Sequence, residues 1–117
     1  MRQLIPNTNN NQVDVSLFVQ RLRSGCIRIR VNYAGMRILR PGKLQWFHLF
    51  VDEINKCIII QLVKSKKDAF HITMESGYHN RAALFTVTKA LQVANVGDEV
   101  VNNYVLDGVL KQIVLYY

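Results

Sequence analysis

The chain has 117 residues, half of them hydrophobic and a fifth charged, and its 15 Lys and Arg against 8 Asp and Glu leave a formal charge of +7. A chain of this length buries roughly 65% of the surface its unfolded form exposes, enough for a core that needs no disulfide or metal as a staple. Its uninterrupted apolar runs, residues 49–51 and 57–60 among them, are far short of the ~20 residues of a membrane-spanning helix, and residues 1–12 lack the apolar h-region of a signal peptide. The expected compartment is therefore cytoplasmic, and no membrane partner is expected.

Residues 1–12, with their cluster of Asn, read as a flexible polar arm, and residues 13–117 as a single α+β domain. Val13, Leu17, Phe18 and Leu22 form a helical stripe with Asp14 or Ser16 placed to cap it and Gly25 placed to end it, which predicts a helix over 13–24. At Cys26 the period changes to two. Ile27, Ile29, Val31 and Tyr33 alternate with Cys26, Arg28, Arg30 and Asn32, the pattern of a half-buried strand with an arginine face. Ala34 and Gly35 make a turn, residues 36–39 a second short strand, and Arg40-Pro41-Gly42-Lys43 another turn.

Residues 44–51 and 56–63 are rich in aromatic and β-branched side chains and flank a polar connector, the pattern of a β-hairpin. A charged loop follows over 64–68, a strand over 69–74, a loop over 75–81 and a strand over 82–87. Thr88 is placed to cap a short helix over 89–95, closed by Gly97. The chain then reads as a terminal hairpin, with strands over 99–106 and 109–116 joined by Asp107-Gly108 as a two-residue type I′ turn. The fold expected is α+β: mainly antiparallel β-sheet with an N-terminal helix, one short internal helix and a C-terminal β-hairpin.

Charge is distributed very unevenly along the chain. Residues 1–20 and 44–117 are each neutral, so the whole excess lies between residues 21 and 43, where Arg21, Arg23, Arg28, Arg30, Arg37, Arg40 and Lys43 stand without an acid among them. Arginine's planar, always-charged fork suits phosphate. Arg28 and Arg30 project from one strand face about 7 Å apart, close to the spacing of successive phosphates, and Arg37, Arg40 and Lys43 extend the track. A solvated face, or an edge charged against aggregation, explains the same arginines without a ligand. Tyr33, Trp46 and Phe47 interleave with the basic segment. Tyr33, beside a turn, is the candidate for stacking on a base, whereas Trp46 and Phe50 are expected in the core.

Other chemistry is not signalled. His48, His71 and His79 lack ligand spacing, and Cys26 and Cys57 have neither a close second Cys nor a spaced His, so no metal or cofactor is expected and the cysteines read as unpaired buried thiols. There is no G-x-S-x-G, H-E-x-x-H or phosphate-cradling glycine loop. Adjacent Asp52 and Glu53 read as turn residues. Edge strands and the aromatic Tyr116-Tyr117 end lead us to expect self-association into a homo-oligomer.

The run Trp46-Phe47-His48-Leu49-Phe50-Val51-Asp52-Glu53, followed by Cys57-Ile58-Ile59-Ile60, resembles the paired strands of AbrB-like transcription-regulator hairpins and of small uncharacterised phage-encoded β-rich proteins. Thr86-Val87-Thr88-Lys89-Ala90-Leu91, with Asp107-Gly108-Val109-Leu110, is similar to the second half of the phage type. These stretches cover under half of the chain. The basic residues here precede the hairpin on an Arg-rich strand, so no functional residue is carried over.

The function expected is therefore non-enzymatic: nucleic-acid binding, to DNA or RNA, with Arg28, Arg30, Arg37, Arg40 and Lys43 on phosphates and Tyr33 as a stacking residue. Two alternatives stand beside it. One is a phage-type accessory, inhibitor or structural module whose arginines meet an acidic protein surface; the other is a binder of a small anionic ligand such as a nucleotide.

Overall fold

Alternation wins over helical spacing at the start of the chain. Val15, Leu17 and Val19 stand two apart with Ser16, Phe18 and Gln20 between them, and β-branched valine favours the pleated conformation. In the computed structural model, which describes residues 14–22, 26–75, 81–87 and 99–116, the helix expected over 13–24 is replaced by strand β1, Leu17–Arg21, with Leu17 and Val19 buried. The elements that follow are β2 (Ile27–Val31), α1 (Tyr33–Leu39), β3 (Trp46–Asp52), β4 (Cys57–Val63), β5 (Phe70–His71), β6 (Thr73–Met74), β7 (Ala83–Val87), β8 (Glu99–Val101), β9 (Tyr104–Asp107) and β10 (Gln112–Tyr116). The helix expected over 89–95, the polar arm and His79 lie outside the described residues.

The strands form two antiparallel five-stranded sheets, the first in the order β6-β7-β2-β1-β8 and the second in the order β5-β3-β4-β10-β9. One core fills the space between them, with Leu17, Ile27, Ile29, Val31 and Phe85 from the first sheet against Phe47, Ile60, Leu62 and Ile113 from the second. The Phe47 and Phe85 rings meet edge to face across the sheets at 5.2 Å, and Phe70 stacks on Phe47 at 5.3 Å. At each edge the chain passes directly from one sheet to the other: β5 and β6 are separated by buried Ile72, and β8 and β9 by residues 102–103. The single strands expected over 69–74 and 99–106 are each divided in this way, because each half finds its pairing partner in a different sheet.

The segment expected as a turn and a short strand is instead the helix α1. Asn32, immediately before it, caps it: the Gly35 N–H donates to Asn32 Oδ1 at 3.1 Å, the usual work of an N-cap side chain. The same oxygen accepts from the Ser16 N–H at 3.0 Å, and Asn32 Nδ2 donates to the Asp14 carbonyl at 2.7 Å. Asn32 is thus buried with its amide shared between the approach to β1 and the start of α1. Met36 and Leu39, three apart, turn into the core. The helix ends at Arg40, whose backbone is left-handed (φ 47°), and Pro41 follows it.

The β3–β4 hairpin is present, and its loop has the same construction as that of the β9–β10 hairpin. In the first, Asp52 Oδ1 accepts the N–H groups of Ile54 and Asn55, and Lys56 takes the left-handed position. In the second, Asp107 Oδ1 accepts those of Val109 and Leu110, and Lys111 takes it. Asp107 pairs with Gln112, so the two-residue turn expected at Asp107-Gly108 is a loop of residues 108–111 built around an aspartate side chain. Gly108 has a different purpose. A Cβ there would collide with the Ile38 carbonyl oxygen, so glycine lets this loop close against α1.

Candidate nucleic-acid interface

β2 is the central strand of the first sheet, and alternation sends Ile27, Ile29 and Val31 inward and Arg28 and Arg30 to the outer face. In register, Arg30 lies between Phe18 of β1 and Leu84 of β7, and Arg28 between Gln20 and Thr86. The two arginines differ in their commitments. Arg30 grips Glu75 in a two-pronged pair, Nε to Oε2 at 2.8 Å and Nη2 to Oε1 at 3.0 Å, with the side chains 44% and 37% exposed. This is the geometry that fits guanidinium to carboxylate best. The hydrogen bonds from Arg30 hold the Glu75 carboxyl below its ordinary value, and the positive charges of Arg30 and Arg28 pull in the same direction; the same pair raises the Arg30 guanidinium. Arg28 has its Nε removed from solvent without a hydrogen-bond partner.

The sequence-expected site therefore divides. Arg28 and Arg30 stand on a sheet face, with Arg30 already neutralised by an acid from a distant part of the chain. Arg37, Arg40 and Lys43 belong to α1 and the turn after it, all exposed. Among the described residues no acid is paired with these three cations, whereas Arg30 is held by Glu75. Tyr33, in the first turn of α1, is 40% exposed, and the Arg37 guanidinium carbon lies 6.0 Å from its ring centroid, the outer limit of a cation–π contact.

A further cation joins this end of the molecule. Lys111 Nζ donates to the carbonyls of Leu39 and Arg40, satisfying carbonyls that the end of α1 leaves open. Spacing does not reveal this residue, since Lys111 is some seventy positions away in a stretch where acids and bases balance.

Of the interleaved aromatics, Phe47 is fully buried and Trp46 half-buried, its ring edge-on to His71 at 4.9 Å. Phe50, expected in the core, is 52% exposed on the outer face of the second sheet. β3 sends Phe47 inward, so Phe50, three positions on, points out. His48 Nε2 lies 3.2 Å from the Lys67 carbonyl oxygen, and no group of three or more His, Cys, Asp or Glu side chains converges among the described residues. Cys57 is buried, Cys26 half-buried, and both are free thiols. The Asp52 carboxyl is held below its ordinary value by hydrogen bonds from the backbone and side chain of Asn55 and from the Ile54 N–H, in keeping with a loop residue. No helix is long and apolar enough to cross a membrane among the described residues.

Searches against protein families, curated proteins and solved structures give no significant match to this chain.

Proposed function

We propose that the protein binds nucleic acid non-enzymatically through its phosphates, with Arg37, Arg40 and Lys43 as the principal contacts, Arg28 as an additional one and Tyr33 as a platform for a base. The observation that carries this reading is the placement of three exposed cations on one short helix and its following turn, none of them engaged by an acid among the described residues. Solvated protein surfaces ordinarily mix both signs. Arg30 contributes less than its sequence position suggests, because a phosphate must first displace Glu75 from a two-pronged pair. Tyr33 and Arg37 lie on the same helix, so a base stacked on the ring sits beside a guanidinium able to meet its own phosphate.

The test is fluorescence anisotropy with a labelled single-stranded oligonucleotide and its duplex at low salt. The variant Arg37→Ala/Arg40→Ala/Lys43→Ala is expected to lose most of the affinity, while Lys64→Ala/Lys66→Ala/Lys67→Ala, which removes an exposed cluster of equal size from a loop, loses little. Equal losses overturn the assignment of the site. No binding by the wild-type chain at low salt overturns the nucleic-acid reading and leaves an acidic protein surface as the partner to seek.

A further inference from the structure

The outer face of the second sheet has the opposite chemistry. Its strands β3, β4, β5, β9 and β10 contain no Lys or Arg at all, in a chain of charge +7. Strand register arranges its outward residues in transverse rows. One row runs Phe50, Ile59, Val114, Val105 across four neighbouring strands. The next runs His48, Gln61, Gln112, Asp107, and on the other side Asp52 and Tyr116 flank buried Cys57. Phe50, Val105 and Tyr116 are 52%, 49% and 41% exposed, so the apolar row ends in open side chains at both edges. A contiguous row of open apolar side chains is a candidate contact surface.

We propose that this face is the interface of a homodimer, two copies packing sheet on sheet about a two-fold axis that runs parallel to the strands between β4 and β10. Charge favours a second copy as the occupant. Two copies meeting through the basic segment would bring like charges together, whereas here no strand cation opposes another. The rows then supply self-complementarity, which an isologous contact demands. The rotation lays β3 over the partner's β9 and β4 over the partner's β10 with rows preserved. Phe50 meets the partner's Val105, Ile59 meets the partner's Val114, Gln61 meets the partner's Gln112, and His48 meets the partner's Asp107. Apolar thus falls on apolar and polar on polar. The alignment of strands is that of ordinary face-to-face sheet packing.

Area sets the strength. Four strands at ~4.8 Å spacing and about five residues at ~3.3 Å rise give a footprint of roughly 300–400 Å², below the ~800 Å² per partner of a standard stable interface. The dimer is accordingly expected to be a weak one.

Analytical ultracentrifugation of the full chain from about 5 to 200 µM, a range wide enough to reveal weak self-association by mass action, tests the proposal. The wild type is expected to move from monomer to dimer across the range. Ile59→Lys and Val114→Lys, each placing a cation at the centre of the row, are expected to hold the protein monomeric with unchanged circular dichroism, while Gln20→Lys on the outer face of the first sheet leaves the dimer intact. If the central variants misfold, the edges carry the test: Phe50→Glu and Val105→Lys chains are each expected to dimerise poorly alone and to form a heterodimer when mixed, since the register sets these positions opposite each other. A wild type that stays monomeric at 200 µM overturns the proposal. So does a dimer indifferent to the central charges, or one that Gln20→Lys breaks equally.

Discussion

β2 and β4 are the middle strands of their respective sheets, and their inward residues are nearly interchangeable: Ile27, Ile29 and Val31 in one, Ile58, Ile60 and Leu62 in the other, all buried. Their outward residues are Arg28 and Arg30 in the first, Ile59 and Gln61 in the second. One core rule thus supports two outer faces of contrasting chemistry, one whose middle strand carries two arginines and one whose strands carry no Lys or Arg. The inward half of a strand specifies how it folds, and the outward half what it meets.

The largest effects are expected in the core. Ile29→Ala and Ile60→Ala should destabilise the protein by similar amounts, about 2–5 kcal/mol each, measured by urea denaturation, while Arg28→Ala and Gln61→Ala should cost well under half as much. A large inequality between the two isoleucines would break the equivalence of the two strands.

Asn32 comes next in size. Its amide serves the approach to β1 and the N-terminus of α1 together, so Asn32→Leu strands the half-buried Ser16 and buried Gly35 N–H groups, at about 1–3 kcal/mol for loss of such partners. The expected readout is a lowered urea midpoint, together with weakened oligonucleotide binding, since α1 carries the principal cations. Unchanged stability would show that the amide is not the joint between β1 and the helix.

The smallest effect concerns Glu75. Its carboxyl titrates below its ordinary value because Arg30 hydrogen-bonds to it, so the pair contributes stability that is fully present above about pH 4.5, the unfolded value, and is lost as pH falls through the lower folded one. Both side chains are more than a third exposed, which screens the contribution to under about 1 kcal/mol. Glu75→Gln should therefore flatten the acid limb of the stability profile slightly. It should also free Arg30, strengthening oligonucleotide binding by a few-fold at neutral pH; weaker binding would contradict the pairing's inhibitory role.

The second sheet's hairpin and the arginine face of β2 were legible because alternation and β-branched residues agreed over five or more positions. β1 was not, because Val13, Leu17 and Leu22 satisfy a helical spacing while Val15, Leu17 and Val19 satisfy a period of two, and only pairing with β2 decides between them. For α1, Asn32 before and Pro41 after are ordinary boundary signals, but Tyr33 continues the alternation of β2 and hides the helix start. The site was visible as a charge excess along the chain. Its division was not, since Glu75 and Lys111 reach Arg30 and α1 only through the sheet topology, which local patterns do not specify.

The central claim is that the helix cations, rather than the protein's overall charge, hold the phosphates. The slope of log K against log salt tests it most directly, because each phosphate contact contributes about −0.9 on duplex or −0.7 on single strands. Arg37→Ala/Arg40→Ala/Lys43→Ala is expected to flatten the wild-type slope by about 2 units on a single strand, and Arg28→Ala/Arg30→Ala by less than half of that. Parallel lines for the wild type and the helix variant would contradict the account.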